Sequence, residues 1–219
     1  MQERCFEQLA GWATANRFAA EIMDARETYF EGTGLIHEDD IAFEQRMAGL
    51  SEYYLLDRPL SFDSEGRTPA ELFLAEGGEG LSLEEKETYA GFTRTIHGLF
   101  EIRRKSKDAV IVRDVLTQES CRVFERRRKA AILKKDIIEA RLIPMDGRLI
   151  FGRTFIYHPH NARKLIGSWA RALRKKGKAA DASMRREAIW RLAQAALVYD
   201  RQRQNNRSAP KVELIYGSL

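Results

Sequence analysis

Apolar residues recur at helical spacing through the first hundred positions of the chain. They fall three or four apart from residue 4 to residue 29 without a proline, and again over residues 38–56, which predicts two helices. Ser82, with a glutamate three positions later, has the spacing of a capping box and precedes a further predicted helix at residues 83–97. The pattern therefore predicts a helical region over residues 1–97.

The apolar period changes from helical to nearly two at Gly98. Five short segments rich in valine, isoleucine and phenylalanine follow, and each predicts a strand: residues 98–102, 109–116, 121–126, 136–143 and 148–157. Asp146 and Gly147 separate the last two segments, as a two-residue type I′ hairpin turn requires. We expect a five-stranded antiparallel β-sheet or a small barrel over residues 98–158, of SH3-like, OB-like or open form.

A helical period returns after the last predicted strand. Apolar residues between Ala162 and Leu173 form one stripe of a predicted helix, and another helix is predicted from the N-cap residue Asp181. The final apolar run, residues 212–216, is expected to dock as a strand. The expected fold class is α+β: an acidic helical region, a central sheet, and basic C-terminal helices with a tail over residues 159–219. The helical region, the sheet and the C-terminal helices are either three separate regions or parts of one compact domain.

Charge divides the chain at nearly the same place as the apolar pattern. Residues 1–100 hold 20 acidic and 8 basic residues, a net charge of −12, whereas residues 101–219 hold 12 and 29, a net charge of +17. The net charge of the whole chain, +5, hides this division. A strongly basic half is typical of proteins that bind polyanions. Such a division of charge is also expected if the two halves pack face to face and neutralise each other.

Basic residues of the second half fall in three clusters, two beside predicted strands and one on a predicted helix. The predicted nucleic-acid-binding residues are Arg103, Arg104, Lys105, Arg126, Arg127, Arg128, Lys129, Arg171, Arg174, Lys175 and Lys176. Each phosphate contact adds to affinity and to its dependence on salt. Four aromatic residues lie on the same strands: Phe124, Phe151, Phe155 and Tyr157. They would stack on bases if they faced solvent, but we expect them to be core residues.

No catalytic site, metal site or cofactor is predicted. The sequence has no phosphate-binding glycine loop, nucleophile elbow or zinc-protease helix. His158 and His160 form the only paired histidine motif, and because neither cysteine is near them in sequence they are interpreted as cap or turn residues. Arg126–Arg128 echo the arginine segment of PilZ domains, but the D/N-x-S-x-x-G that follows it in those domains is absent.

The composition, with 44% hydrophobic and 10% aromatic residues, is that of a folded protein. No apolar run approaches the roughly 18–20 residues that cross a bilayer, and Glu3 and Glu7 stand where a signal peptide carries basic and apolar residues. Cys5 and Cys121 are far apart, which favours free thiols in a reducing compartment. We therefore expect a cytoplasmic protein without a membrane span.

Five segments between residues 50 and 152 carry a resemblance: EYYLLDRPL, LSLEEKE, GLFEI, VRDVLTQE and KKDIIEARLIPMDGR. They resemble a module of uncharacterised bacterial proteins that often also carry a SEC-C zinc motif. The chain departs from those proteins because it has no closely spaced cysteine cluster, so neither the zinc motif nor any functional residue carries over. The resemblance implies a bacterial, cytoplasmic protein with a binding role.

Three hypotheses of function follow from these features. The first is nucleic-acid binding, or nucleic-acid-associated regulation, through the basic half, with the acidic helices limiting nonspecific binding. The second is a non-enzymatic interaction or adaptor module in which acidic and basic surfaces mate within the chain or between copies. The third is an enzyme with an unfamiliar site, which a deep cleft holding a carboxylate of strongly shifted pKa would favour. An open basic face would favour the first hypothesis, and a covered one the second.

Overall fold

The computed structural model describes residues 1–77, 80–125, 132–177, 181–205 and 209–219. Helices and strands both occur within these ranges, in the predicted order. The helices of the first half are α1 (Gln2–Trp12), α2 (Ala19–Thr33), α3 (Phe43–Leu56), α4 (Pro69–Glu76) and α5 (Leu83–Phe92). The strands are β1 (Ile96–Lys105), β2 (Ala109–Asp114), β3 (Ser120–Phe124), β4 (Ile137–Met145) and β5 (Arg148–Tyr157). The helices after them are α6 (Arg163–Lys175), α7 (Ala182–Asn205) and α8 (Val212–Tyr216).

The five strands form one mixed sheet. Their hydrogen-bonded order is β1-β2-β3-β5-β4, and β4 also pairs with β1. Four of the five contacts are antiparallel, whereas β3 and β5 run parallel over two residue pairs. The prediction of a purely antiparallel sheet is wrong at this contact.

Several predicted elements differ from the structure. The helix predicted over residues 38–56 begins at Phe43, and the one predicted over residues 83–97 ends at Phe92, because β1 begins at Ile96. The single helix expected from residue 4 to residue 29 is divided by a short 3₁₀ turn at Asn16–Phe18, which brings the ring of Phe18 to 4.8 Å from that of Trp12. The final apolar run forms α8 instead of a strand. Its residues Val212 and Tyr216 are buried in the apolar cluster that covers Leu99 of β1, so the run docks through its side chains.

The strongest local signals are confirmed. Ser82 Oγ accepts a hydrogen bond from the backbone N–H of Glu85, and the carboxylate of Glu85 accepts one from the backbone N–H of Ser82, so the predicted capping box starts α5. The hairpin between β4 and β5 turns at Asp146 and Gly147, whose φ angles of 49° and 67° are both positive. Positive φ at both central residues is what a type I′ turn requires.

The sheet lies between two helical layers. Its inward side chains, among them Phe100, Val112 and Phe151, form an apolar cluster of their own. The first-half helices form an aromatic-rich cluster that also includes Ile143 of β4, and helices α6, α7 and α8 cover Leu99 of β1. Strand β4 is consequently buried on both faces, and the outer face of β1, β2 and β3 is the part of the sheet left to carry a surface site.

Candidate nucleic-acid interface

The carboxylate of Glu101 is the centre of a cluster of arginines on the outer face of β1. Arg113 is its partner across the β1–β2 ladder, and Arg103 lies two residues further along β1, where the register shifts at a bulge. Arg163 reaches the same carboxylate from the start of α6. Three arginines from three elements therefore converge on one side chain that is only 5% exposed.

Both oxygens of this carboxylate accept hydrogen bonds. Oε2 accepts from Arg103 Nη1 at 2.8 Å and from Arg113 Nη2 at 3.0 Å. Oε1 accepts from Nε and Nη2 of Arg163 at 3.0 Å and 2.6 Å. Burial acts to raise the pKa of Glu101, but the hydrogen bonds from Arg163, Arg103 and Arg113 outweigh it and hold the pKa below its ordinary value. One ionised carboxylate thus faces three guanidinium groups, so in the described part of the chain the positive charges of this cluster exceed the negative ones by two.

A cleft of about 370 Å³ opens beside this cluster, between β1, β2 and helix α6. We call it the basic cleft. Its lining residues are Glu101, Arg113, Val115, Gln118, Ile137, Arg163, Lys164, Gly167, Ser168, Arg171 and Arg174. Five of these residues are cationic and one is acidic, and all belong to the second half of the chain. Among the described residues, no carboxylate forms an ion pair with Lys164 or Arg171.

Helix α6 presents one of its faces to the basic cleft because its opposite stripe is apolar. Ile166 and Ala170 are fully buried in the apolar cluster that α6 forms with α7, α8 and the sheet, which turns positions 164, 167, 168 and 171 toward the cleft. Gly167 leaves room there, since a methyl group built at its Cα would meet no other atom within 4 Å. The cleft therefore has space for a ligand group between cationic side chains.

The structure brings together some of the predicted binding residues. Arg103, Arg171 and Arg174 meet at the Glu101 cluster and the basic cleft. Arg104 is exposed on β1, next to Ile111 of β2 across the ladder.

Other predicted residues lie apart from this cleft. Lys105 donates a hydrogen bond from Nζ to the backbone oxygen of Ile132 at 2.6 Å. Lys175 and Lys176 are exposed at the C-terminal end of α6 and do not line the cleft. Four predicted residues lie outside the described residues: Arg126, Arg127, Arg128 and Lys129.

Sequence reasoning missed Arg113, Arg163, Lys164 and the carboxylate that organises them. Arg113 stands alone within an apolar strand segment, so it belongs to none of the three charge clusters. The alternation of that segment does indicate that Arg113 faces outward, but pairing it with Glu101 needs the register of β1 against β2. A bulge in β1 shifts that register, and no local signal in the sequence gives its position.

The aromatic residues divide between the core and the surface. Phe151 and Phe155 are buried inside the sheet, as expected of core residues. Tyr157 is 40% exposed at the end of β5. Phe124 is half-buried at the end of β3, with the guanidinium carbon of Arg148 5.1 Å from the centre of its ring.

A second and larger cavity, of about 580 Å³, lies where β5 ends against α7 and the segment before α3. His158 and Asp200 both line it. Burial, with the charge of Arg46, lowers the pKa of His158 to about 3, and its Nδ1 lies 3.2 Å from Tyr216 Oη. Burial raises the pKa of Asp200. This cavity is therefore lined by one histidine and one carboxylate whose pKa values are both shifted by burial.

The described ranges contain neither a cluster of metal ligands nor a membrane-spanning helix. No group of three histidine, cysteine, aspartate or glutamate side chains there could hold a metal ion. Cys5 and Cys121 are both free thiols. No helix in the described part of the chain is long and apolar enough to span a membrane.

Comparison with known proteins gives one match. The model of a family described as a family of unknown function (DUF7986) matches residues 19–194, a stretch that includes the sheet, all of α6 and the basic cleft. No curated protein and no solved structure matches the chain.

Proposed function

The chain belongs to the DUF7986 family of unknown function, and we propose that it binds nucleic acid through the basic cleft. The convergence of arginines on Glu101 carries this proposal, because it holds cationic groups in fixed positions at the edge of an open cleft. The guanidinium group of an arginine can donate two parallel hydrogen bonds to two oxygens of one phosphate. A guanidinium that a neighbouring side chain already holds in place loses less conformational entropy when it binds. Lys164 and Arg171 add positive charge that the described carboxylates do not neutralise.

We also propose that the sheet is a small barrel of OB-like form. The strand order β1-β2-β3-β5-β4 with β3 parallel to β5 is the order of that fold and differs from SH3-like order. OB-like barrels are used widely to bind oligonucleotides. This likeness is an analogy of fold, and the charges of the cleft are the stronger support.

The adaptor hypothesis has less support from the placement of charge. Every residue that lines the basic cleft comes from the second half, so the acidic helices do not cover it. Among the described residues, two arginines of the second half pair with carboxylates of the first: Arg141 with Glu52 and Asp57, and Arg201 with Asp40. Neither arginine lines the cleft. Charge pairing between the halves therefore leaves the cleft open to a partner.

We also propose that the protein is cytoplasmic, as its sequence predicts.

The double variant Lys164→Ala, Arg171→Ala tests the proposed function. Fluorescence anisotropy with a mixed-sequence labelled oligonucleotide, single-stranded and as a duplex, should show binding by the unaltered protein at about 50 mM salt. Each lost phosphate contact lowers the slope of log affinity against log salt by about 0.7 for single strands and about 0.9 for duplex. We expect the double variant to bind more weakly. Because two contacts are lost, its slope should be shallower by about 1.4 for the single strand and by about 1.8 for the duplex.

The matched control is Arg26→Ala, Lys86→Ala, which removes the same charge from exposed positions on helices of the first half. We expect this control to keep the affinity and the slope of the unaltered protein. No binding of any oligonucleotide at about 50 mM salt would overturn the proposed function. Equal weakening by both double variants would overturn the assignment of the cleft, because net charge alone would then explain the effect. Light scattering at low and high salt would show whether copies associate instead.

A further inference from the structure

We propose that His97 is a phosphoryl-accepting histidine, whose Nδ1 takes a phosphoryl group from a small phosphodonor bound in a cavity beside β1. This inference goes beyond the proposed function and does not depend on it. Three observations carry it: a buried carboxylate that holds the imidazole ring, a cavity that the other ring nitrogen meets, and an arginine at that cavity without a carboxylate partner among the described residues.

A buried carboxylate holds the imidazole of His97. Glu139 of β4 is paired with Leu99 of β1, two residues from His97 on the same face of the sheet. His97 Nε2 lies 3.0 Å from Glu139 Oε1, and the side chain of Glu139 is only 2% exposed. A carboxylate accepts hydrogen bonds, so the proton of the neutral imidazole is on Nε2. The lone pair that can attack an electrophile is then on Nδ1.

The other nitrogen of His97 meets a cavity of about 520 Å³, which we call the His97 cavity. It lies between the start of β1, the end of α3 and the first turns of α7, and the side chain of His97 is 19% exposed. Within the described ranges, Nδ1 has no hydrogen-bond partner and is not one of the buried polar atoms that lack one. A cavity of this volume is large enough to admit a small phosphorylated molecule.

Two arginines of α7 line the His97 cavity. Arg185 Nη2 donates to Asp114 Oδ2 at 2.9 Å and to the backbone oxygen of His97 at 3.4 Å, so Asp114 balances its charge. Arg186 is exposed, its guanidinium carbon lies 5.5 Å from the centre of the Trp190 ring, and no described carboxylate forms an ion pair with it. A guanidinium binds two oxygens of one phosphoryl group at once. Arg186 is therefore the group that binds the phosphoryl oxygens.

The proposed step transfers a phosphoryl group from one nitrogen to another. The lone pair of His97 Nδ1 attacks the phosphorus of a phosphoramidate, the Nδ1–P bond forms, and the P–N bond of the donor breaks as its electron pair leaves with ammonia. The proton stays on Nε2, so the phosphorylated ring is positively charged and faces the carboxylate of Glu139. Glu139 is a positioning residue, which selects Nδ1 as the nucleophile and stabilises the charged product.

The test treats the unaltered protein with phosphoramidate near neutral pH and follows it by intact mass, peptide mapping and ³¹P NMR. We expect one phosphoryl group on Nδ1 of His97. His160 is the matched control, because its side chain is 67% exposed and its Nδ1 lies 3.6 Å from Asp136 Oδ1. His97 should react about tenfold faster than His160 despite its smaller exposure, since a carboxylate partner changes the activity of a histidine by roughly 10- to 100-fold.

Variants separate the roles of the three side chains. His97→Gln should abolish the fast reaction, and His160→Gln should leave it unchanged. Glu139→Gln should slow it about tenfold and give both ring isomers, because a glutamine amide can donate to Nε2 as well as accept from it. Arg186→Ala should also slow the reaction, whereas Arg191→Ala, at an exposed position on the same helix, should not. Thermal melts would verify that each variant folds.

The isomer formed by the unaltered protein tests the inference even if a variant does not fold. Phosphorylation of His97 on Nε2, or a reaction no faster than that of His160, would overturn it. A Glu139→Gln variant with the rate and isomer of the unaltered protein would overturn it too. Fast phosphorylation of Nδ1 that depends on Glu139 and Arg186 supports it. None of these results bears on nucleic-acid binding, because the His97 cavity and the basic cleft share no lining residue.

Discussion

Replacing Arg141 with leucine is expected to lower the free energy of unfolding by about 3–5 kcal/mol. Arg141 is 1% exposed on β4, where Nη1 donates to Asp57 Oδ1 at 2.8 Å and to Thr95 Oγ1 at 2.7 Å, while Nη2 pairs with Asp57 Oδ2. Its Nε lies 3.4 Å from Glu52 Oε2. Leucine would leave two carboxylates without their cation, one of them deeply buried. Urea denaturation followed by circular dichroism would measure the change.

Arg191→Leu is the matched control for this change. Arg191 is exposed on α7 and pairs with Glu187 one turn away, so its replacement should alter the free energy of unfolding by less than about 0.5 kcal/mol. The role assigned to Arg141 would be wrong if the two leucine variants were equally stable. Arg141→Lys should fall between them, because lysine keeps the charge but cannot bond two carboxylate oxygens and a hydroxyl in one plane.

Arg141 also shows where prediction from the sequence stops. The period of two in the segment around it predicts β4 correctly, because alternation is a local property. That period cannot show that the interior of the sheet covers one face of the strand while helices cover the other, where Glu139 and Arg141 are buried. The partners of Arg141, Glu52 and Asp57, lie more than 80 residues away, so their pairing depends on how the helical layer docks on the sheet.

The same contrast between local and distant contacts holds for the sheet and the candidate site. The hairpin at Asp146 and Gly147 was predictable because both turn residues tolerate positive φ. The parallel contact of β3 with β5 was not, since it joins strands separated by β4 and by a long connection. Charge clusters likewise located Arg103 and Arg171, but only the register of β1 with β2 and the docking of α6 bring them to one carboxylate and one cleft.

Glu101→Gln is expected to lower the free energy of unfolding by about 2–3 kcal/mol at neutral pH, because three arginines lose their shared charged acceptor. The loss should depend on pH. Since the pKa of Glu101 is lower in the folded protein than in the unfolded chain, its stabilising effect is complete above the unfolded pKa of about 4.3 and disappears as the pH falls through the folded pKa. Unfolding curves of the two proteins should therefore converge in acid.

Removal of this carboxylate should also turn the cluster into a stronger anion site. A phosphate ion can accept hydrogen bonds from Arg103, Arg113 and Arg163 in place of Glu101, and a ligand that binds the folded state raises the melting temperature. Inorganic phosphate should therefore raise the melting temperature of Glu101→Gln more than that of the unaltered protein, at ionic strength matched with chloride. An equal rise for both would mean that the arginines do not act together on an anion, and the basic cleft would lose its main support as a phosphate-binding surface.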